Sequence, residues 1–491
     1  MIYYVDSRRG SDSNDGLSRQ TAWRTTEAIN AHVFQGGDEI RFRAGETYFG
    51  HLQPKREHDG GVIRFGVYGV GERPEIAAPD GNGIYLCDFD FVELFGLSVT
   101  APAGVCGICI RNSAGGALAH IYVRDCRIHH VNEARESFAY ESGGIILIAS
   151  SSEKPGWFDD VVLEDNEITD VGRSGILHTN LWACRPKMWG FNDYDSDDGN
   201  WWPSHDMQVR GNYIDRTGGD GIVLLGTDRA LIEWNTVYHV MTNPKPPCAN
   251  AGIWPQSSND CIVQYNEVGY CQKPEGCNDA QGFDVDLSCR NTIIQYNYSH
   301  DNGGGFLLLC ENGSTTDADN YRGTVVRNNL SVNDGNVKGE LIAMVGPVRG
   351  VLIENNTLYS SGIAERIVEV WTEDGQHQAK DVVMRNNLFL SNGRDNAFHL
   401  CNGENFVFEN NLYWGARREI PEGHTKAASF DPLLTQSGRS GDGRGVMEAY
   451  VPAEGRLFDV AGIPEKASPI DALGRETGGR AYIGAFLPQI P

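Results

Sequence analysis

The run Gly282-Phe283-Asp284-Val285-Asp286-Leu287-Ser288 sets two carboxylates two residues apart in an otherwise apolar stretch. On an extended strand alternate side chains share a face, so Asp284 and Asp286 would stand about 7 Å apart on one side. Phe283, Val285 and Leu287 would then fill the core. Two carboxyls at that range can divide acid and base work: apolar neighbours keep a proton on one while the other stays ionised. Across a glycosidic bond such a pair protonates the leaving oxygen and supplies a nucleophile or a base for water. A solvated pair on an exposed sheet is the plain alternative.

Neighbouring segments favour the chemical reading. Related strands carry Ile146, Val223 or Leu307 where Asp284 stands, so the acids break an apolar column. GIWPQS sets Trp254 and Gln256 in the columns of Asp284 and Asp286, and an outward Trp offers a sugar ring both an apolar face and an indole N–H. A Trp simply covered by a loop is the alternative. GFLLLCENG brings Glu311 and Asn312 to a strand end, while alternation turns Glu369 and His399 outward; Glu340 has an ambiguous register. Glu311 or Glu369 is the expected partner acid. His178 is a candidate for substrate contact, or for the base of a lyase, and equally a packed histidine.

These residues need a scaffold that repeats. A β-branched strand ending in Asn, a polar or Gly-rich turn and a second apolar strand recur along the chain, marked by Asn166, Asn212, Asn235, Asn266, Asn297, Asn329, Asn356, Asn387 and Asn411. After a first gap of 46 the markers lie 23 to 32 residues apart. Such a unit cannot bury its apolar face alone and must stack. Asparagine suits equivalent turns, because its amide bonds along a stack and it tolerates left-handed backbone. The architecture expected is all-β, a right-handed parallel β-helix. Residues 1–60 form an N-terminal cap with a short helix and the first strands, 61–415 the catalytic solenoid, and 416–491 a strand-and-loop C-terminal cap.

Long insertions flank the acid strand. Residues 181–206 carry Trp182, Trp189, Trp201 and Trp202, and further insertions lie at 242–250 and 272–280. Loops of this length in a compact solenoid tend to be functional. The tryptophans are candidates for stacking on sugars, and about half of them for holding the loop together.

Composition restricts partners. With a net charge of −25 and no basic cluster, a nucleic-acid partner is not expected. No stretch reaches the ~18 apolar residues of a membrane span. The 59 glycines among 491 residues suit a fold of many tight turns. Twelve cysteines fall largely in strand-like segments, and Cys106-x-x-Cys109 lacks the second pair a zinc site requires. Asp6, Asp12 and Asp15 read as Asx-turns before calcium ligands. Neither cofactor nor metal is expected, and a homo-oligomer is compatible with the sequence. Nothing at the N-terminus resembles a secretory leader, so a cytoplasmic location is expected unless a leader was removed.

YYVDSRRGSDSNDG near the start, the NN-ending strands and the closing SPIDAL…YIGAF together resemble the pectate-lyase-like superfamily of carbohydrate-active β-helix proteins, over nearly the whole chain. That resemblance implies the fold and a carbohydrate ligand, but spans glycosidases, lyases, epimerases and binding modules. The NTD, DD, GHG and RIK motifs of polygalacturonases are absent. GFDVD and IVEVW are similar to the acidic strand motifs of β-helical β-xylosidases, which implies Asp284 as nucleophile and Glu369 as acid/base, though the intervals differ. The expectation is a glycoside hydrolase centred on Asp284 and Asp286; a polysaccharide lyase or uronate epimerase, and a non-catalytic binding solenoid, are the alternatives.

Overall fold

The computed structural model describes residues 1–132, 140–183, 185, 201–243, 250–311, 321–337, 339–361, 364, 366–371, 378–392, 397–401, 403–415, 420–465 and 467–489. It divides into two compact units, one of Met1–Cys184, Ser196–Leu231 and Met241–Pro247, the other of Arg185–Asp195, Ile232–Val240 and Cys248–Pro491. In each, short strands pair in parallel with their equivalents one coil away, so the chain is a right-handed parallel β-helix.

The first unit starts the solenoid at once. Ile2–Val5 pairs with Glu39–Arg43, which pairs with Ile63–Tyr68. The expected cap helix is Thr26–Ala31, with Ile29 fully buried, and Tyr3 stacks on Trp23 at 4.9 Å. Asp6 and Asp15 accept backbone N–H groups from residues two or three positions on, while Asp12 accepts those of Arg24 and Thr25 at the start of the cap helix. Among the described residues no helix is long and apolar enough to cross a membrane.

The second unit carries the acid strand. One of its sheets stacks Ile253–Gln256, Phe283–Val285, Leu307–Cys310, Glu340–Val345, Arg366–Trp371 and Ala397–His399 in that order. Along it Phe283 pairs with Leu307, Leu307 with Ile342 and Ile342 with Val368, an aliphatic and aromatic file with no exposure. That file is the core. Leu307 therefore belongs to the inward track, and the residue beside Asp284 is Leu308, one position later than the sequence alignment put it.

A ladder of buried amides runs beside the core. In the second unit it links Asn235, Asn266, Asn297, Asn329, Asn356, Asn387 and Asn411. Asn297 shows the pattern. Its Nδ2 donates to Asn329 Oδ1 at 3.0 Å and to Val263 O at 2.9 Å, while its Oδ1 accepts from Asn266 N at 2.9 Å. The left-handed backbone is taken by the preceding residue: Tyr296, Asn328, Asn355, Asn386 and Asn410 all have φ between 53° and 59°. The first Asn of each NN pair turns the chain and the second bonds the stack. Asn297→Ala would leave several buried groups unsatisfied at once, an expected loss of roughly 2–4 kcal/mol by chemical denaturation.

The closing segment differs from the strand-and-loop expectation. Its described helical turns are Arg444–Tyr450 and Arg456–Asp459, and its strand content is limited to isolated bridges such as Leu434 with Pro452. Val446, Met447, Tyr450, Leu457, Ile483 and Phe486 pack on Tyr298, Leu330, Val332, Leu388 and Leu412, the outer face of a second sheet. It is a strap along the side of the solenoid.

Candidate active site

Asp284 and Asp286 come from the end of the strand Phe283–Val285, where alternation turns both outward. Ile253 pairs with Phe283 and Gln256 with Asp286, which sets Trp254 beside Asp284 and Gln256 beside Asp286. The outer face above them is apolar. Leu308, Ala343 and Val345 form their own cluster, joined by Cys310 and Trp371 and separate from the core. Outward does not mean exposed here: Asp284 is 6% accessible, and Trp254 and Gln256 are equally buried. The solvated-pair alternative does not fit Asp284, whose side chain is shielded from solvent.

Asp286 is partly buried and its carboxyl is pushed up to about 7. Burial is the main cause; the charges of Asp279 and then Glu311 push the same way, against a backbone hydrogen bond from Leu287 and the Cys310 thiol, which donates to the carboxylate. In turn, burial and the negative charges of Asp286 and Asp284 hold the Cys310 thiol far above its ordinary range. A protonated carboxyl beside an ionised one is the division of labour that acid–base catalysis needs. Asp279 is the acid missed from the sequence. It is the last carboxylate of the 272–280 insertion, a segment singled out only as one of the loops that flank the acid strand.

Glu311 is present but turned away from a reacting role. It is 0% exposed, with its carboxylate on the backbone N–H and hydroxyl of Ser288. Glu369 is in the file of Asp284, yet Leu308 and Ala343 come between. Three steps at about 4.8 Å each set it roughly 14 Å away, beyond the ~10 Å that a glycosidase acid pair spans. Glu369 is instead ion-paired with Arg366 and lies 3.4 Å from His399 Nδ1, so His399 is remote from the acids too. Asn312 and Trp189 lie outside the described residues.

His178 is a core residue of the first unit. It pairs with Leu147 and Leu224 in the inward track, packs edge-on to Phe158 at 5.7 Å, and holds Nε2 2.8 Å from Ser204 Oγ. Burial pushes its imidazole down to about 3, so it is neutral. It touches neither solvent nor substrate. His178→Leu is expected to cost about 1 kcal/mol of stability and to leave turnover per folded molecule unchanged, read by denaturation and active-enzyme titration.

The three described tryptophans of the long insertion also belong to the first unit. Trp182 Nε1 donates to Ser151 O at 2.8 Å and Trp201 Nε1 to Ala183 O at 2.8 Å. Their N–H groups fasten the base of the insertion. Trp202 stacks on Trp157 at 5.7 Å and keeps 43% of its surface exposed. Arg185, in the same insertion but itself part of the second unit, is the second residue the sequence reading missed; its guanidinium donates to Asn259 Oδ1 at 2.6 Å and Ser288 O at 3.4 Å within that unit.

Known proteins share this framework. A lacto-N-biosidase of Bifidobacterium longum subsp. longum is 24% identical over 478 residues, which cover 79% of this chain and 29% of that protein. The chain thus spans under a third of that relative's length. Among solved structures, a GH136 lacto-N-biosidase from Eubacterium ramulus superposes with a TM-score of 0.63 at 21% identity, over 81% of this chain and 68% of that one. XylC in complex with xylose gives 0.57 at 13% identity, over 100% and 99%. At these identities the two structures share the fold. Residues 75–336, more than half of the chain, match the family model for a right handed beta helix region, and with parallel coils on both sides of that span the chain belongs to the right-handed β-helix family.

Proposed function

We propose that the chain is a glycoside hydrolase in which Asp286 donates the proton to the leaving oxygen and Asp279 is the ionised partner carboxylate. The observation that carries this reading is the break in the outer face: a partly buried carboxyl raised to about 7 near a second carboxylate, on a coil where the neighbouring aliphatic residues give way to acids. Protonation of a poor leaving group and charge stabilisation from the opposite side are what hydrolysis of an acetal requires. Trp254 and Gln256 on the preceding strand lie beside the acids and are themselves buried, so they pack the acids in place and the covered-Trp alternative holds. The relatives support a carbohydrate substrate: one is a lacto-N-biosidase, and XylC was solved with xylose.

The lyase and epimerase alternative needs a base such as His178 or a Lys or Arg, and of these His178 is packed in the core. The test is product chemistry. Aryl glycosides and oligosaccharides, including lacto-N-biosides and xylosides, should yield new reducing ends with no ultraviolet absorbance from a double bond. An unsaturated product would sink the hydrolase reading.

A further inference from the structure

Two residues beyond Asp286 the chain turns through left-handed backbone, as it does at other turns of the solenoid. Ser288 has φ 60°, and Ser257 on the preceding coil has φ 50°. Left-handed backbone costs a residue with a side chain more than it costs glycine, and the bonds that neighbours make to Ser288 offset that cost. Gly346, after the strand Glu340–Val345, takes the same conformation without that cost.

What holds Ser288 is charged on both sides. Its N–H and hydroxyl donate to the Glu311 carboxylate, and its carbonyl accepts from Arg185 Nη2 at 3.4 Å. Arg185 also donates from Nη2 to Asn259 Oδ1 at 2.6 Å and from its backbone N–H to Ser257 Oγ at 2.7 Å. Ser257 N closes the frame on Leu287 O at 2.7 Å, and Asp286 N bonds Pro255 O at 3.0 Å. Glu311 and Arg185 are both buried, and charge-assisted bonds of this kind are about twice as strong as neutral ones.

We infer that Arg185 and Glu311 are positioning residues, a charged clamp that holds Ser288 in its left-handed conformation and so aims the Asp286 carboxyl. The inference rests on Asp286 being the proton donor. The clamp fixes the peptides that follow Asp286; the groups that face its carboxyl are the Cys310 thiol and the charges of Asp279 and Glu311, with Asp284 on the same strand. Glu311 therefore acts twice, through backbone geometry and through its charge.

Glu311→Gln is expected to lower kcat by roughly 10- to 100-fold with KM changed less than about twofold, the size of effect that a small misplacement of a catalytic group produces. It should also move the alkaline limb of the pH–rate profile to lower pH. Adding Ser288→Gly, which needs no clamp, should restore part of kcat. Wild-type kcat and pH profile in Glu311→Gln would overturn the inference, as would Ser288→Gly failing to restore any rate. If Glu311→Gln does not fold by circular dichroism, Arg185→Met with and without Ser288→Gly reads the same clamp. Carbon-13 NMR of labelled aspartate, with Asp286→Asn for assignment, separates this from the glycosidase reading. A downward move of the Asp286 midpoint in Glu311→Gln supports the coupling even if no glycoside is hydrolysed, and no move overturns it even if one is.

Discussion

Asp286→Asn is expected to lower kcat on an unactivated glycoside by on the order of 10²–10⁴-fold, the range of a lost general acid. The pH dependence follows from the carboxyl held near 7. A proton donor works in its protonated form, so wild-type kcat/KM should hold below pH 7 and fall about tenfold per unit above it. The asparagine variant should lose that alkaline limb, and an aryl glycoside with a good leaving group should recover much of its rate. Stability should move the other way. A carboxyl whose folded pKa lies above its ordinary value of 3.8 favours the folded state only when protonated, so its ionisation lowers stability progressively from about pH 4 to 7. Asp286→Asn is therefore expected to melt higher than wild type at pH 8. A variant that loses activity while gaining stability marks a residue retained for chemistry. Full activity in the variant, or a lower melting temperature at pH 8, would count against the role.

The repeat and its face were legible before the structure, for a reason that also explains the errors. Alternation states which side of a strand a residue faces, and it put Asp284, Asp286, Trp254 and Gln256 together correctly. It is silent on height. Glu369 is on the right file but three strands up, and only counting coils separates it from the acids. At His178 the structure takes the packed alternative, with Ser204 as its partner inside the core. Asp279 and Arg185 come from insertions that carry no period, so nothing in the repeat could register them against Asp286. The closing segment was unreadable on the same ground: its anchors are single side chains on an aromatic face.

One of those anchors gives a large expected effect on stability. His300 is fully buried on the outer face of the strand Tyr298–His300, with Nδ1 3.0 Å from Asp301 Oδ2 and Nε2 3.4 Å from Glu267 Oε1. Tyr238 donates to Glu267, and the strap closes over the cluster: Gly443 N donates to Glu267 Oε1 at 2.7 Å, Ser440 Oγ to Asp301 Oδ1 at 3.1 Å, and Tyr270 Oη to Asp442 Oδ1 at 2.7 Å. Burial opposes the charged imidazole, but Asp301 and Glu267 outweigh it and lift His300 to about 9. A raised histidine contributes stability that is complete below its ordinary 6.5 and lost as pH rises through 9. The shift corresponds to about 3 kcal/mol. Glu267 and Asp301 are held below their ordinary values, so their contribution is present above those values and lost only as pH falls through the lowered ones. His300→Gln leaves the buried Glu267 and the partly buried Asp301 without their cation, an expected loss of about 3 kcal/mol with early proteolysis in residues 438–443. Denaturation at pH 6, 8 and 10 checks the cause. The gap between wild type and His300→Gln should be widest at pH 6 and shrink toward pH 10, because by then the wild-type imidazole has given up its proton. A gap independent of pH would mean that His300 holds the strap by packing against Tyr298, on which it stacks at 4.6 Å, and not by charge.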